Sequence, residues 1–445
     1  MSFGYSWGRQ RLAAIRAVPP AERLILAGLV VLAVLVRVVG RNYVTTDLVV
    51  FRDWYDQLWA AGGITGLREP IGNYNAPFLY LLVVAGFLPG STLLKIKLIF
   101  AVFDVMVVYF MYRLVALRYP GWRIPTLAAL VTAFLPTVVV NASMYGQCES
   151  VWAGFALGGL YLLLRDRHWW AVAFFATSVA FKPQGVFILP VLLLLVLAGR
   201  VRWRVLLALP AVYLLLALPA IAVGRGPVEL LTVYSSQADD KGGLARSAPS
   251  VFQYLQIAYA GGIFRNLGYL FTIAVVLGIC YALVASRVDL DRTRIVTAAA
   301  CFAVTVPFLL PSMHERYFYL ADLLTLALAF HRPRLWYLPL IVQAASALSY
   351  LPFLSNGGPY SPFVDARILS ALMLAAVVVT TYTLLRDAAA PAAAATPTNP
   401  PVAPTATPID PTAVLVGPEP PWTTPVSRWR TWFSAAPPST RPFWN

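Results

Sequence analysis

Charged residues are scarce in this sequence. Asp, Glu, Lys and Arg together make up 12% of the 445 residues, whereas 59% are hydrophobic. A soluble domain carries about one quarter charged residues, so this composition excludes a water-soluble enzyme and a soluble nucleic-acid-binding protein. Cysteine is equally rare, because only Cys148, Cys280 and Cys301 occur. Three scattered cysteines are too few for a disulfide framework or a zinc site.

Long apolar runs recur from residue 24 to residue 385. Runs of this kind are typical of transmembrane helices. The sequence therefore predicts an all-α polytopic membrane protein with about 12 transmembrane helices. The predicted spans are 24–40, 98–117, 124–140, 150–164, 169–181, 185–199, 205–223, 267–286, 295–312, 317–330, 335–354 and 368–385.

One further apolar run, 76–89, is shorter than the others. As a helix it reaches only about 21 Å, less than the hydrocarbon thickness of about 30 Å. We interpret it as an interfacial or re-entrant helix. With this run excluded, the inward loops carry a large excess of basic over acidic residues, as the positive-inside rule requires. The formal net charge of +15 is then a consequence of topology and predicts no nucleic-acid partner.

This topology predicts a multi-pass protein of the cytoplasmic membrane with both termini in the cytoplasm. Residues 1–23 form a cytoplasmic segment before a retained signal anchor, and residues 24–385 form the transmembrane domain. Within it, 41–92 is a first external loop with interfacial helices, and 224–266 is another external loop. Residues 388–445, rich in Ala, Pro and Thr, are expected to be a disordered cytoplasmic tail.

Three short outward turns are rich in functional groups: MYGQCE at 144–149, KPQ at 182–184 and MHER at 313–316. A turn that only reconnects two helices would use small turn residues, so these turns are candidates for a site on the outer face. Asp47, just after the first span, lies on the same face. Either Thr46 or Asp47 caps a helix that starts near Leu48, or Asp47 acts as a general base; the two roles are compatible.

The turns offer further candidates, each with a simpler structural alternative. Glu149 either complements the dipole of the following helix or is a second functional acid, and Gln147 supplies a donor and an acceptor suited to a sugar. Lys182 joins two short apolar runs, so it needs an anion nearby unless it snorkels to the headgroups. Asp104 and Asp322 lie inside spans, where they either have a function or pair with donors of neighbouring helices.

The last turn combines residues that suit an anionic substrate. Arg316 is suited to a phosphate group, and His314 either orients such a group or carries a proton. Lys95 and Lys97 stand at the outward end of the second span, level with the lipid phosphates.

The pattern TTDLVVFRDWYDQLWAAGGITGLREPIGNYNAPFLYLL at 45–82 resembles the first external loop of GT-C glycosyltransferases. More narrowly, it resembles bacterial relatives of the mannosyltransferase that adds the second mannose of GPI anchors. The similar stretches follow one another in order across roughly residues 24–385. They include KIKLIFAVFD, MYGQCESVWAGF, SAPSVFQYL, FKPQGVFILP and PSMHERYFYL.

The resemblance implies a GT-C-like fold and inverting transfer of a hexose, with mannose as the first choice, from a polyprenyl-phosphate sugar on the outer face. The acceptor is a glycolipid, a polysaccharide or a protein, and the other partners are membrane lipids. No metal or other cofactor is expected. The implied catalytic residues are Asp47 as the base and Glu149 as a second acid, although the family more often has Asp at this position. Donor or phosphate binding is assigned to Lys182, His314, Arg316, Lys95 and Lys97, and sugar or acceptor binding to Gln147, Tyr74, Asn75, Glu315 and Arg52.

Two alternatives stay open at this point. A transporter or lipid flippase of cell-envelope precursors would use intramembrane acids such as Asp104 or Asp322. Another lipid-linked glycan enzyme, a polymerase or a ligase, would share the outward cleft. The substitution Asp47→Asn separates the first alternative from the glycosyltransferase, because a transporter that uses Asp104 or Asp322 should tolerate it.

Overall fold

The computed structural model describes residues 18–238, 243–255, 262–354 and 364–389. Most of the predicted N-terminal segment 1–23 and all but residues 388 and 389 of the predicted tail 388–445 lie outside these ranges. The predicted disorder of the tail therefore stays a prediction.

The described part of the chain is helical, which confirms the all-α class. Strands occur there only as a parallel pair of two-residue segments, β1 (Ala245–Arg246) and β2 (Met313–His314). The α-helices are α1 Pro20–Val39, α2 Thr46–Ala60, α3 Ala76–Gly86, α4 Thr92–Ala116, α5 Arg123–Phe134, α6 Pro136–Val140, α7 Glu149–Leu163, α8 His168–Phe181, α9 Leu189–Leu197, α10 Ala208–Ala222, α11 Pro227–Ala238, α12 Gly262–Ala285, α13 Arg292–Leu309, α14 Tyr319–His331, α15 Leu338–Leu354 and α16 Ala366–Ala389. Shorter segments are the 3₁₀ turns Thr65–Arg68, Pro183–Ile188, Trp203–Leu207, Val251–Tyr254, Glu315–Phe318 and Pro333–Leu335, and the π turn Asn141–Tyr145.

Several helices are long and apolar enough to cross a membrane, as expected for a membrane protein. Among the described residues, five meet this criterion: Trp203–Ala222, α12, α13, Pro333–Leu354 and Ala366–Arg386. A sixth is obtained if the bent pair Arg123–Phe134 and Pro136–Tyr145 counts as one span. Twelve spans are therefore not confirmed.

Some predicted spans are interrupted, for local reasons. The run 124–140 breaks at Leu135, and the axes on either side differ by 51°. Leu135 has φ −55° and ψ 128°, the extended conformation favoured before a proline, and Pro136 starts the next helix. The run 185–199 likewise begins with the 3₁₀ turn Pro183–Ile188, so α9 itself contains only 9 residues.

The core surrounds α7, α13 and α14. Nearly every residue of these helices is buried, including all residues of α13 from Ile295 to Leu309. The helix α7 packs against α4 and α8, and α14 packs against α13 and α15. Since α7 begins at Glu149 and α14 follows the turn Glu315–Phe318, this core brings two of the predicted outward turns to one end of the molecule.

Candidate functional site

Asp47 lies in the first turn of α2 and is held there by its neighbour Thr45. The Thr45 hydroxyl accepts a hydrogen bond from the Leu48 amide (3.3 Å) and donates one to the Tyr145 carbonyl (2.7 Å). The prediction that Thr46 or Asp47 caps this helix is therefore wrong, because the extended backbone of the N-cap position falls at Thr45. Because Thr45 caps the helix, the Asp47 carboxylate is available for other contacts.

Two side chains hold the Asp47 carboxylate. Gln147 donates from Nε2 to Oδ2 over 2.7 Å, and Arg316 Nη1 lies 3.2 Å from the same oxygen. Gln147 reaches this position because Gly146 adopts a left-handed conformation with φ +68°. A Cβ atom at Gly146 would also lie 2.8 Å from the Leu48 side chain, so the turn and α2 approach closely only with glycine there.

Arg316 is a buried guanidinium that three carboxylates share. Its Nη1 lies 2.9 Å from Glu315 Oε1, and its Nε lies 3.5 Å from Glu149 Oε1, in addition to the contact with Asp47. Burial alone would lower the pKa of Arg316, but the surrounding carboxylates outweigh burial and raise it well above its ordinary value. Arg316 is thus permanently charged, and its three carboxylate contacts fix the orientation of the guanidinium group.

Lys182 and Glu149 form an ion pair behind the site. Both side chains are almost completely buried, and the Lys182 ammonium donates to Glu149 Oε1. The anion that Lys182 was predicted to need is therefore a carboxylate of its own chain. Burial would lower the pKa of Lys182, but Glu149 raises it above its ordinary value. Glu149 is also the first residue of α7, the position that favours a negative charge.

Glu315 and His314 complete the group beside Arg316. The Tyr145 hydroxyl donates to Glu315 Oε1 over 2.5 Å, and His314 Nδ1 lies 3.7 Å from Glu315 Oε2. Burial would raise the pKa of Glu315, but Arg316 lowers it to about 2. Burial, followed by the charge of Arg316, lowers the pKa of His314, so the imidazole is neutral at pH 7.

These groups surround a cavity of about 430 Å³, within the size range of small-molecule sites. Of the predicted site residues, Asp47, Tyr74, Gln147, His314 and Arg316 line it. Asp47 is the accessible carboxylate, with a side chain 32% exposed. Glu149, Lys182 and Glu315 lie behind the wall and do not line the cavity. The remainder of the lining is half aromatic and consists of Val50, Phe51, Trp54, Asn73, Arg246, Tyr269, Ser312 and Tyr317.

Arg246 is the functional group that the sequence analysis missed. The parallel pairing of β1 with β2 sets Arg246 opposite His314, and the Arg246 Nη1 lies 3.4 Å from the His314 Nε2. The available signal was its position immediately before SAPSVFQYL, one of the stretches that carry the family resemblance.

The other predicted residues lie away from this cavity. Asn75 is buried and caps α3, accepting from the Ala76 amide over 2.8 Å. Lys95 donates to the Tyr55 hydroxyl (3.3 Å), Lys97 donates to the carbonyls of Gly40 and Tyr43, and Arg52 is exposed.

Asp104 and Asp322, the two acids predicted to lie inside spans, have partners on neighbouring helices. Asp104 pairs with Arg37 over 2.8 Å, and Asp322 accepts from the Ser346 hydroxyl over 2.9 Å. These contacts are those expected if both acids stabilise helix packing.

Within the described ranges, no group of three or more His, Cys, Asp and Glu side chains is placed to hold a metal ion. The expected independence of metals stays a prediction. Neither a protein-family model nor a curated protein matches the chain.

Proposed function

We propose that this protein is a GT-C-type glycosyltransferase of the membrane, with about 12 transmembrane helices. It transfers a hexose, with mannose as the first choice, from a polyprenyl-phosphate sugar to a glycolipid, polysaccharide or protein acceptor on the outer face. The observation that carries the proposal is the combination in one cavity of an accessible carboxylate, Asp47, with the cationic groups of Arg316 and Arg246 and the imidazole of His314.

Asp47 acts as the general base in this proposal. It takes the proton of the acceptor hydroxyl while that oxygen forms a bond to the anomeric carbon of the donor sugar. The bond from the anomeric carbon to the phosphate oxygen breaks, and polyprenyl phosphate leaves with the electron pair. Attack from the face opposite the leaving group inverts the anomeric configuration, through a transition state with oxocarbenium character.

Arg316 and Arg246 stabilise the charge of the leaving phosphate, and His314 orients Arg246 by accepting from its Nη1 through Nε2. Fixed cations are effective in such a role because they need no reorganisation during the reaction. Arg316 is fixed by its three carboxylates. Arg246 is held by the pairing of β1 with β2.

Glu149 and Lys182 take a different role from the one that the resemblance implied. Because both are buried behind the cavity wall, they hold Arg316 in place and do not contact the substrate. Lys182 also lies 5.8 Å from the ring centre of Tyr74 and 5.5 Å from that of Tyr317, two rings that line the cavity.

The decisive experiment measures sugar transfer by the full chain in proteoliposomes. The donor is radiolabelled polyprenyl-phosphate mannose, and a membrane-lipid extract is the acceptor. We expect wild-type protein to form a labelled product with or without EDTA. Asp47→Asn should reduce the rate about 10²-fold or more, the range typical for a lost general base. The matched control is Asp56→Asn, an exposed carboxylate on the same helix, which should behave as wild type.

Full activity of Asp47→Asn would disprove the role of Asp47. If the wild type does not transfer mannose, glucose and arabinose donors are tested next, and transfer of arabinose alone would overturn the choice of a hexose. Failure with all three would overturn the glycosyltransferase proposal in favour of a transporter or flippase.

A further inference from the structure

The helix α1 is held to the rest of the molecule mainly near its ends. None of its residues is buried. Near its start, Glu22 pairs with Arg123 over 2.7 Å. Near its end, Arg37 pairs with Asp104 over 2.8 Å and donates to the Ala133 carbonyl over 3.1 Å. Between these contacts, α1, α4 and α5 leave a groove of about 720 Å³.

The walls of this groove are apolar along most of its length. They include Leu26, Val30 and Val34 of α1, Leu98 and Val105 of α4, and side chains of α5. From Leu26 to Arg41 the groove runs about 22 Å. One leaflet contributes about half of the hydrocarbon thickness of about 30 Å, so the groove is long enough for an acyl chain.

One end of the groove carries an uncompensated positive charge. Lys97 is 5% exposed and donates to the carbonyls of Gly40 (2.9 Å) and Tyr43 (2.5 Å). Among the described residues it has no carboxylate partner, because Asp104, the acid that lines the same groove, is paired with Arg37. A buried cation without a counter-charge is unfavourable.

Arg41 adds a second positive charge at the same end. It is exposed, and within the described ranges its guanidinium makes one long hydrogen bond, to the Val38 carbonyl (3.4 Å). Basic side chains at the edge of an apolar groove are suited to an anionic lipid headgroup.

We propose that this groove binds one membrane phospholipid with an anionic headgroup. The acyl chain lies between α1, α4 and α5, and the headgroup phosphate lies at Lys97 and Arg41. This inference goes beyond the proposed function, since the groove and the Asp47 cavity have no lining residue in common. The sugar donor is the less suitable occupant, because its phosphate has to reach Arg316, which lines the Asp47 cavity and not this groove.

The test measures lipid binding by the full chain after purification in detergent and removal of lipid. Native mass spectrometry follows the titration of phosphatidylglycerol, phosphatidylcholine of the same chains, and polyprenyl phosphate. We expect phosphatidylglycerol to bind at least 10-fold more tightly than phosphatidylcholine. Arg41→Ala and Lys97→Met should each weaken this binding at least 10-fold. Arg23→Ala, which removes an exposed arginine of α1 that does not line the groove, should leave it unchanged.

A filling variant keeps the proposal testable if Lys97→Met does not fold. Ala101→Phe introduces a ring into the groove wall and leaves both cations in place, so it should weaken phosphatidylglycerol binding by a similar factor. Equal binding of the two phospholipids, or equal effects of Arg41→Ala and Arg23→Ala, would overturn the proposal. So would binding that depends on Arg41 for polyprenyl phosphate but not for phosphatidylglycerol. Since no sugar transfer is measured, this result is independent of the proposed function.

Discussion

Arg316 contacts three carboxylates, and each of these belongs to a different segment of the chain. Asp47 lies in α2, Glu149 begins α7, and Glu315 precedes the arginine itself. Only Asp47 of the three lines the cavity. The other two orient the guanidinium, so Arg316 presents its charge to Asp47 and to whatever anion enters the cavity.

The ion pair behind Arg316 gives a prediction about stability. Lys182→Met leaves Glu149 buried with its main counter-charge removed, and a broken buried pair costs about 3–5 kcal/mol. The double variant Lys182→Met with Glu149→Gln removes both charges and should recover most of that loss. Denaturant unfolding of the solubilised protein provides the measurement. The control Arg68→Met breaks the exposed pair with Glu69 and should cost about 0–1 kcal/mol. Equal losses in the single and double variants would contradict the pair as described.

Glu315 gives a prediction about pH. Its pKa is about 2 in the folded protein, against an ordinary value of 4.5. A carboxyl with a lowered folded pKa stabilises the protein above its unfolded pKa, and this contribution is lost as the pH falls from about 4.5 towards 2. The melting temperature of wild type should therefore exceed that of Glu315→Gln at pH 6, and the difference should shrink below pH 4.5. A difference that stays constant down to pH 3 would show that the charge of Glu315 does not stabilise the fold.

At the scale of single elements, the start of α2 fixes the position of Asp47. Thr45→Ala removes both the cap and the bond to the Tyr145 carbonyl, so we expect a loss of about 1 kcal/mol or more. Transfer activity should also fall, because Asp47 is no longer held against Gln147. The matched control is Thr46→Ala, which alters the exposed next residue and should change little. A larger effect at Thr46 than at Thr45 in unfolding measurements would place the cap one residue later.

The sequence predicts those elements that are determined by residues close together in the chain. The helix after Thr45, the short helix at 76–86 and the acid at the start of α7 follow from local patterns, and each is present. The cap was misplaced by one residue, because Thr45, Thr46 and Asp47 can all accept the same bond. Pro136 gave a local signal for the break in the run 124–140, and a count of apolar residues overlooked it.

The site residues, too, could be predicted only where contacts between distant segments of the chain did not decide their position. Asp47, Gln147, His314 and Arg316 come from turns that the predicted topology places on one face, and the structure brings them to one cavity. Arg246 could not be found in this way, because its place depends on the register between β1 and β2. Nor does the sequence show that Glu149 and Lys182 neutralise each other behind the wall, since burial depends on how α7, α8 and α14 pack.

At the scale of the whole molecule, the contacts around Arg316 restrict the topology. Asp47, Glu149 and Arg316 lie within one ion-pair cluster, so their turns face the same side of any membrane. An even number of crossings must therefore separate them along the chain. If α4 and the bent pair of α5 with Pro136–Tyr145 each cross, as the sequence predicts, they supply two crossings between Asp47 and Glu149. A further crossing by α3, which has only 11 residues and reaches about 16 Å, would make the number odd.

This topology can be tested by the labelling of introduced cysteines in intact cells. The native cysteines Cys148, Cys280 and Cys301 are buried, so the background should be low. Arg52→Cys on α2 and Arg287→Cys after α12 place thiols at exposed positions on opposite sides of the predicted topology. A membrane-impermeant maleimide should label Arg52→Cys directly and Arg287→Cys only after permeabilisation. With α13 crossing between Arg287 and Arg316, labelling of both variants from outside would place Asp47 and Arg316 on opposite sides, as a crossing by α3 would. The cluster around Arg316 could not then form as described.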